Sequence, residues 1–97
     1  VTDAAVVKAA LLAYRAQAAA ARDRFMRNAT SAEAERVILA DRRQEAEAAI
    51  RTVSDDRLQR YALHLLARLD QQGLGCGVDS KMLLASIENI GENDERI

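Results

Sequence analysis

Four side chains in the third quarter of the chain have types and spacing that point to chemistry: Arg57, Arg60, His64 and Arg68. They follow one another at steps of three, four and four residues. That spacing stacks them on one face of a helix. Like charges at i,i+3 and i,i+4 cost an isolated helix roughly 0.2–0.5 kcal/mol per pair. Asp56, four residues before Arg60, offsets part of this. A basic edge that breaks a local rule suits an acidic protein partner or the phosphates of a nucleic acid. Its structural alternatives are neutralisation by acids of the preceding segment (Glu33, Asp41, Glu45, Glu47) or plain solvation.

Other reactive groups are sparse. His64 is the sole histidine, and cationic neighbours favour its neutral form. No second histidine and no cysteine at ligand spacing accompanies it, so no metal site and no cofactor is expected. It also lacks a nucleophile to activate: Ser54, Ser80 and Ser86 read as cap or helix-surface residues. No catalytic residues are therefore expected. Cys76 sits in the run GLGCGV between Gly75 and Gly77. A phosphate-binding glycine loop needs a preceding strand and a different spacing. Here a helix precedes, and Gly73 is explained as a helix stop with Leu74 as its apolar contact. No lysine or histidine adjoins Cys76 to activate the thiol.

Helices must position these residues. In Arg57–Leu69, the residues Leu58, Tyr61, Ala62, Leu65, Leu66 and Leu69 form one apolar stripe. Leu63 widens it, so more than one neighbour is expected to cover this helix. Ahead of it, Val7, Leu11, Tyr14, Ala18, Ala21 and Phe25 alternate in steps of four and three. Lys8, Arg15 and Arg22 recur every seven residues along that seam's border. This predicts a first helix over 3–27, with Thr2 or Asp3 as its cap. Asn28 ends it, and Thr30 with Glu33 has the spacing of a capping box. The second helix, 31–52, is less regular. Ala32, Leu39, Ala46, Ala49, Ile50 and Val53 make its main face, Glu35 and Arg42 intrude, and Val37, Ala40 and Ala48 form a smaller patch behind. Ser54 is placed to cap the third helix, 55–72, with Asp55 and Asp56 at its positive end. Asp79 is placed to cap a short fourth, 80–90, with Leu83, Leu84, Ile87 and Ile90 on one face and Gly91 as its stop. The charged tail 92–97 is expected to fray.

The turns between the first three helices are short, which folds each helix back on the last. The expectation is an all-α single domain over 1–97: an antiparallel three-helix bundle, up-down-up, with a short fourth C-terminal helix. A fourth helix holding Lys81 as its one base, after a connector of seven residues, does not make a helix-turn-helix reader.

Composition agrees. The 97 residues contain no proline, four glycines and three aromatics, with alanine dominating the apolar fraction. This favours helix over sheet. Alanine buries little area at ~25 cal/mol per Å², so the core is thin. A thin core and a two-sided second helix lead to the expectation of a homodimer through the first two helices. The formal net charge of −1 argues against a generic nucleic-acid coat. One cysteine permits no intrachain disulfide, which suits a reducing cytoplasm. No apolar run approaches the ~20 residues of a membrane span, and the first residues lack the features of a secretory signal. Arginine in excess of lysine, with abundant alanine, suits a GC-rich bacterial genome. The function expected is a non-enzymatic adaptor, chaperone or regulator that docks on another protein. The alternative is a nucleic-acid-binding regulator using the same basic edge.

Overall fold

The computed structural model describes residues 2–72 and 78–91. Four helices account for most of them: α1 (Asp3–Met26), α2 (Ala32–Arg51), α3 (Asp56–Gln72) and α4 (Val78–Glu88). There is no strand among the described residues. The helices α1, α2 and α3 each pack on the other two, while α4 lies against α1 and α3.

The helix ends are set by local chemistry. Thr2 caps α1, its hydroxyl accepting from the Ala5 N–H at 3.1 Å. At the other end Asn28 takes φ 58°, a left-handed conformation that asparagine tolerates better than most residues. The Ala29 N–H then reaches back to the Arg24 carbonyl at 2.9 Å, and the Asn28 N–H to that of Phe25 at 3.0 Å. This closes the helix as a Schellman turn. The next cap differs from expectation by one residue. Ser31, not Thr30, caps α2, and its hydroxyl accepts from the Ala34 N–H at 3.1 Å.

A second shift occurs before α3. The side chain of Asp55 accepts from the N–H groups of Arg57 and Leu58, so Asp55 rather than Ser54 is the cap. Ser54 is held elsewhere: its N–H and hydroxyl both donate to Asp3, as does the Asp55 N–H, each at 3.1 Å. A carboxylate in the first turn of α1 thus ties down the α2–α3 turn. The helix α4 begins at Val78, so Asp79 lies inside it instead of capping it. Gly91 follows with φ +92°, the backbone for which glycine is suited. The Lys8 ammonium donates to the Glu88 carbonyl at 3.0 Å, placing a cation at the negative end of α4. The expectations for the Gly73–Leu74 stop, the Cys76 loop and the tail 92–97 lie outside the described residues.

The core is drawn from all four helices. Val7, Leu11, Tyr14 and Ala21 of α1 meet Leu39, Ala46 and Ile50 of α2 and Ala62, Leu65, Leu66 and Leu69 of α3. Val53 after α2, Leu83 and Ile87 of α4, and Ile90 after α4 complete the cluster. Two expected seam residues are exposed instead. Phe25 and Tyr61 are 37% and 45% exposed. Phe25 sits in the last turn of α1. Tyr61 sits at the margin of its stripe, where a phenol keeps its hydroxyl in water.

Candidate functional site

The outer face of α3 gathers all four basic candidates. Arg57, Arg60, His64 and Arg68 are all exposed. A rigid helix therefore presents them at a fixed spacing. Arg60 is engaged locally: its Nη2 lies 2.8 Å from Asp56 Oδ2, one turn back. Both side chains are 72% exposed, so this pair contributes little, in the range of ~0–1 kcal/mol.

Among the described residues, no carboxylate pairs with Arg57, His64 or Arg68. The acids of α2 do not neutralise the edge. Glu45 pairs with Arg42 of its own helix at 3.1 Å, and Glu33, Asp41 and Glu47 form no ion pair with it. Tyr61 joins this face. It lies four residues after Arg57 and three before His64, hence beside both on the helix surface. Sequence reasoning assigned it to the core; the signal that could have moved it is its place at the edge of the apolar stripe, beside the arginines.

Two further polar clusters were not legible as pairs. Asp70, near the end of α3, accepts from the Tyr14 hydroxyl at 3.0 Å and from Arg43 Nη1 at 2.8 Å. One carboxylate thereby joins α1, α2 and α3. Burial pushes the Tyr14 phenol well above the usual tyrosine range, and the charge and hydrogen bond of Asp70 push it further, against a smaller opposing effect of Arg43. A phenol held this way stays protonated and donates. It serves as a structural strut, not as a base near neutrality.

The other cluster is Glu35 with Arg24. Glu35 is 1% exposed and receives a two-pronged contact: Nε of Arg24 at 2.8 Å to Oε2, and Nη2 at 3.0 Å to Oε1. The hydrogen bonds from Arg24 hold the Glu35 carboxyl below the usual carboxylate range, against desolvation and with help from the opposite charge. Among the described residues, no group of three or more His, Cys, Asp or Glu could hold a metal ion. Nor is any described helix long and apolar enough to cross a membrane.

A cleft of about 270 Å³ runs between α1 and α2, lined by Ala10, Ala13, Tyr14 and Gln17 on one side and Arg42, Glu45, Ala46 and Ala49 on the other. Alanines form its walls, and its ionised groups are Arg42 and Glu45, which are paired with each other. Comparison of the chain with protein-family models, with curated proteins and with solved structures finds no match in any of the three.

Proposed function

We propose that this protein is a non-enzymatic binding module that docks another protein on the outer face of α3. The observation that carries this reading is one helix face on which Arg57, His64 and Arg68 stand exposed without an acidic partner among the described residues, with Tyr61 exposed between them. Arginine and tyrosine are the residue types that most often anchor protein contacts. The charge of the face selects an acidic partner surface.

The reading takes residues 1–97 as one domain in which α1, α2 and α3 run up-down-up. Two contacts support that order: Arg24 with Glu35 joins the end of α1 to the start of α2, and Asp3 reaches the start of α3. It places the module in a bacterial cytoplasm as an adaptor, chaperone or regulator. It includes a two-fold homodimer through α1 and α2.

The rival is a nucleic-acid-binding regulator in which Lys8, Arg15 and Arg22 extend the basic face. Lys8 already donates to the Glu88 carbonyl, which weighs against its use on phosphate. The test is a pull-down from the source organism at moderate salt, run with the native chain and with Arg57→Glu/Arg68→Glu. A stoichiometric protein retained by the native chain and lost by the variant is the expected result. Recovery of nucleic acid without such a protein overturns it. Duplex binding whose log–log salt slope falls by about one unit per arginine removed would establish the rival.

A further inference from the structure

The spacing of the α3 face restricts what can lie on it. At about 100° per residue, Arg57, Tyr61, His64 and Arg68 fall within an arc of about 60°, in steps of four, three and four. They form a straight stripe about 16 Å long, parallel to the helix axis. Among the described residues there is no strand edge to which an extended peptide could add, and the cleft between α1 and α2 lies on other helices. The main chain of α3 is spent on its own hydrogen bonds. Arg57 and Arg68 stand about three turns apart, too far for both to project from the helix onto one phosphate. Such a face is read by side chains alone, along a line.

We infer that the occupant of this stripe is an acidic α-helix of the partner protein, laid alongside α3, with carboxylates repeating at seven and four residues. This rests on the protein-docking reading above and names the form of its partner. Steps of four and three are the spacing at which helices meet along a seam. A partner with that spacing brings a carboxylate opposite each of Arg57, His64 and Arg68 at once. His64 donates a ring N–H to it in either protonation state. The position opposite Tyr61 is left for an aliphatic residue, which covers a ring that is 45% exposed. Ala67, exposed beside His64, leaves room for the second helix to approach. The charge fit is one-sided. Arg57, His64 and Arg68 have no acidic partner among the described residues, while Arg60 at the border is held by Asp56. Exposed ion pairs are individually weak. A helix engages them together, whereas a flexible acidic chain must first be ordered residue by residue. A nucleic acid fits less well, because the formal net charge of −1 opposes a polyanion and the uncompensated groups are too few to track a backbone.

The test is fluorescence anisotropy with labelled synthetic peptides and the full chain. The probe is an alanine-based helix carrying Glu at the seven-and-four spacing and Leu at the position that meets Tyr61. One control has the same composition with Glu scattered around the helix. Another keeps the order of acids but carries prolines that break the helix. A last peptide has Lys in place of each Glu. The native chain is expected to bind the probe at least ~10-fold more tightly than the scattered or the proline peptide. Arg57→Glu/Arg68→Glu is expected to lose the probe and to take up the Lys helix, which an unfolded variant would not do. Equal binding of the probe and the proline peptide overturns the helical partner and leaves docking on this face intact. If no peptide binds, the inference is overturned, and the pull-down above decides the docking reading by itself. A protein still retained there leaves that reading standing, and its absence overturns both. Duplex DNA bound more tightly than the acidic helix also overturns both.

Discussion

Glu35 is the residue where pattern and packing part. It occupies a position on the buried side of α2 that an apolar residue would be expected to fill, and it is 1% exposed. The cost of burying a carboxylate is met by Arg24, whose planar guanidinium supplies two donors in parallel. The partner comes from across the turn, eleven residues earlier. Spacing within α2 could not reveal it, so sequence reading registered only an intrusion. The pair has a pH signature. The carboxyl of folded Glu35 ionises at lower pH than in the unfolded chain, because Arg24 favours its charged form. Below the folded value both states are protonated and the contribution vanishes; above the unfolded value it is complete. Stability from this pair is therefore lost as pH falls through the acid range. Arg24→Met strands a buried carboxylate at neutral pH, and that penalty relaxes once Glu35 is protonated. Thermal melts are expected to separate native and Arg24→Met chains at pH 7 and to bring them together as the pH falls and Glu35 becomes protonated in both. An equal gap at both ends would show that the pair is not formed in solution.

At the scale of the elements, the helices were legible because their signals are local. The stripes of α1 and α3, the stop at Asn28 and the apolar face of α4 all follow from periodicity or from one residue's backbone preference. The caps were less legible. Thr30 and Ser31, or Ser54 and Asp55, are adjacent residues of equal capping ability, and tertiary contacts choose between them. Asp3 takes up Ser54, which leaves Asp55 to cap α3. The basic edge was legible as a helix face, but that the acids of α2 form no ion pair with it was not, since that depends on how α2 is rotated. Tyr61 was misplaced because it lies at the edge of its apolar stripe, beside the arginines, and was counted with the stripe. The Asp3 contact gives an element-scale expectation. Removing it frees three hydrogen bonds to the α2–α3 turn and one favourable charge at the start of α1. Asp3→Ala is expected to lower unfolding free energy by about 1–2 kcal/mol in urea titration. Asp3→Asn retains an acceptor oxygen and is expected to fall between the two. A native-like midpoint for Asp3→Ala would remove the proposed tie between the first turn of α1 and the turn before α3.

For the whole molecule, the deciding quantity is the thinness of the core. Its largest fully buried apolar side chains are Leu11, Ile50, Leu66, Ile87 and Val7, and its one aromatic is Tyr14. Alanine fills several of the remaining contact positions, including Ala21, Ala46 and Ala62. Domains of this size have only about 5–15 kcal/mol of net stability, and a core of small residues belongs toward the lower end. In the proposed homodimer, burying the α1–α2 face against a second copy adds apolar area without changing the core. That makes stability depend on concentration, because unfolding then releases two chains. Raising the protein concentration 100-fold favours the dimer by about 2.7 kcal/mol. Spread over two chains of 97 residues, this raises Tm by roughly 5–10 °C. Calorimetry from micromolar to sub-millimolar concentrations is expected to show that rise for the native chain and a flat Tm for Ala13→Trp, which puts a bulky side chain in the α1–α2 cleft. The basic face of α3 takes no part in it, so Arg57→Glu/Arg68→Glu is expected to keep the native concentration dependence while losing its protein partner. A Tm independent of concentration in the native chain would mean that the thin core is sufficient by itself, and that the α1–α2 face is not closed by a second copy.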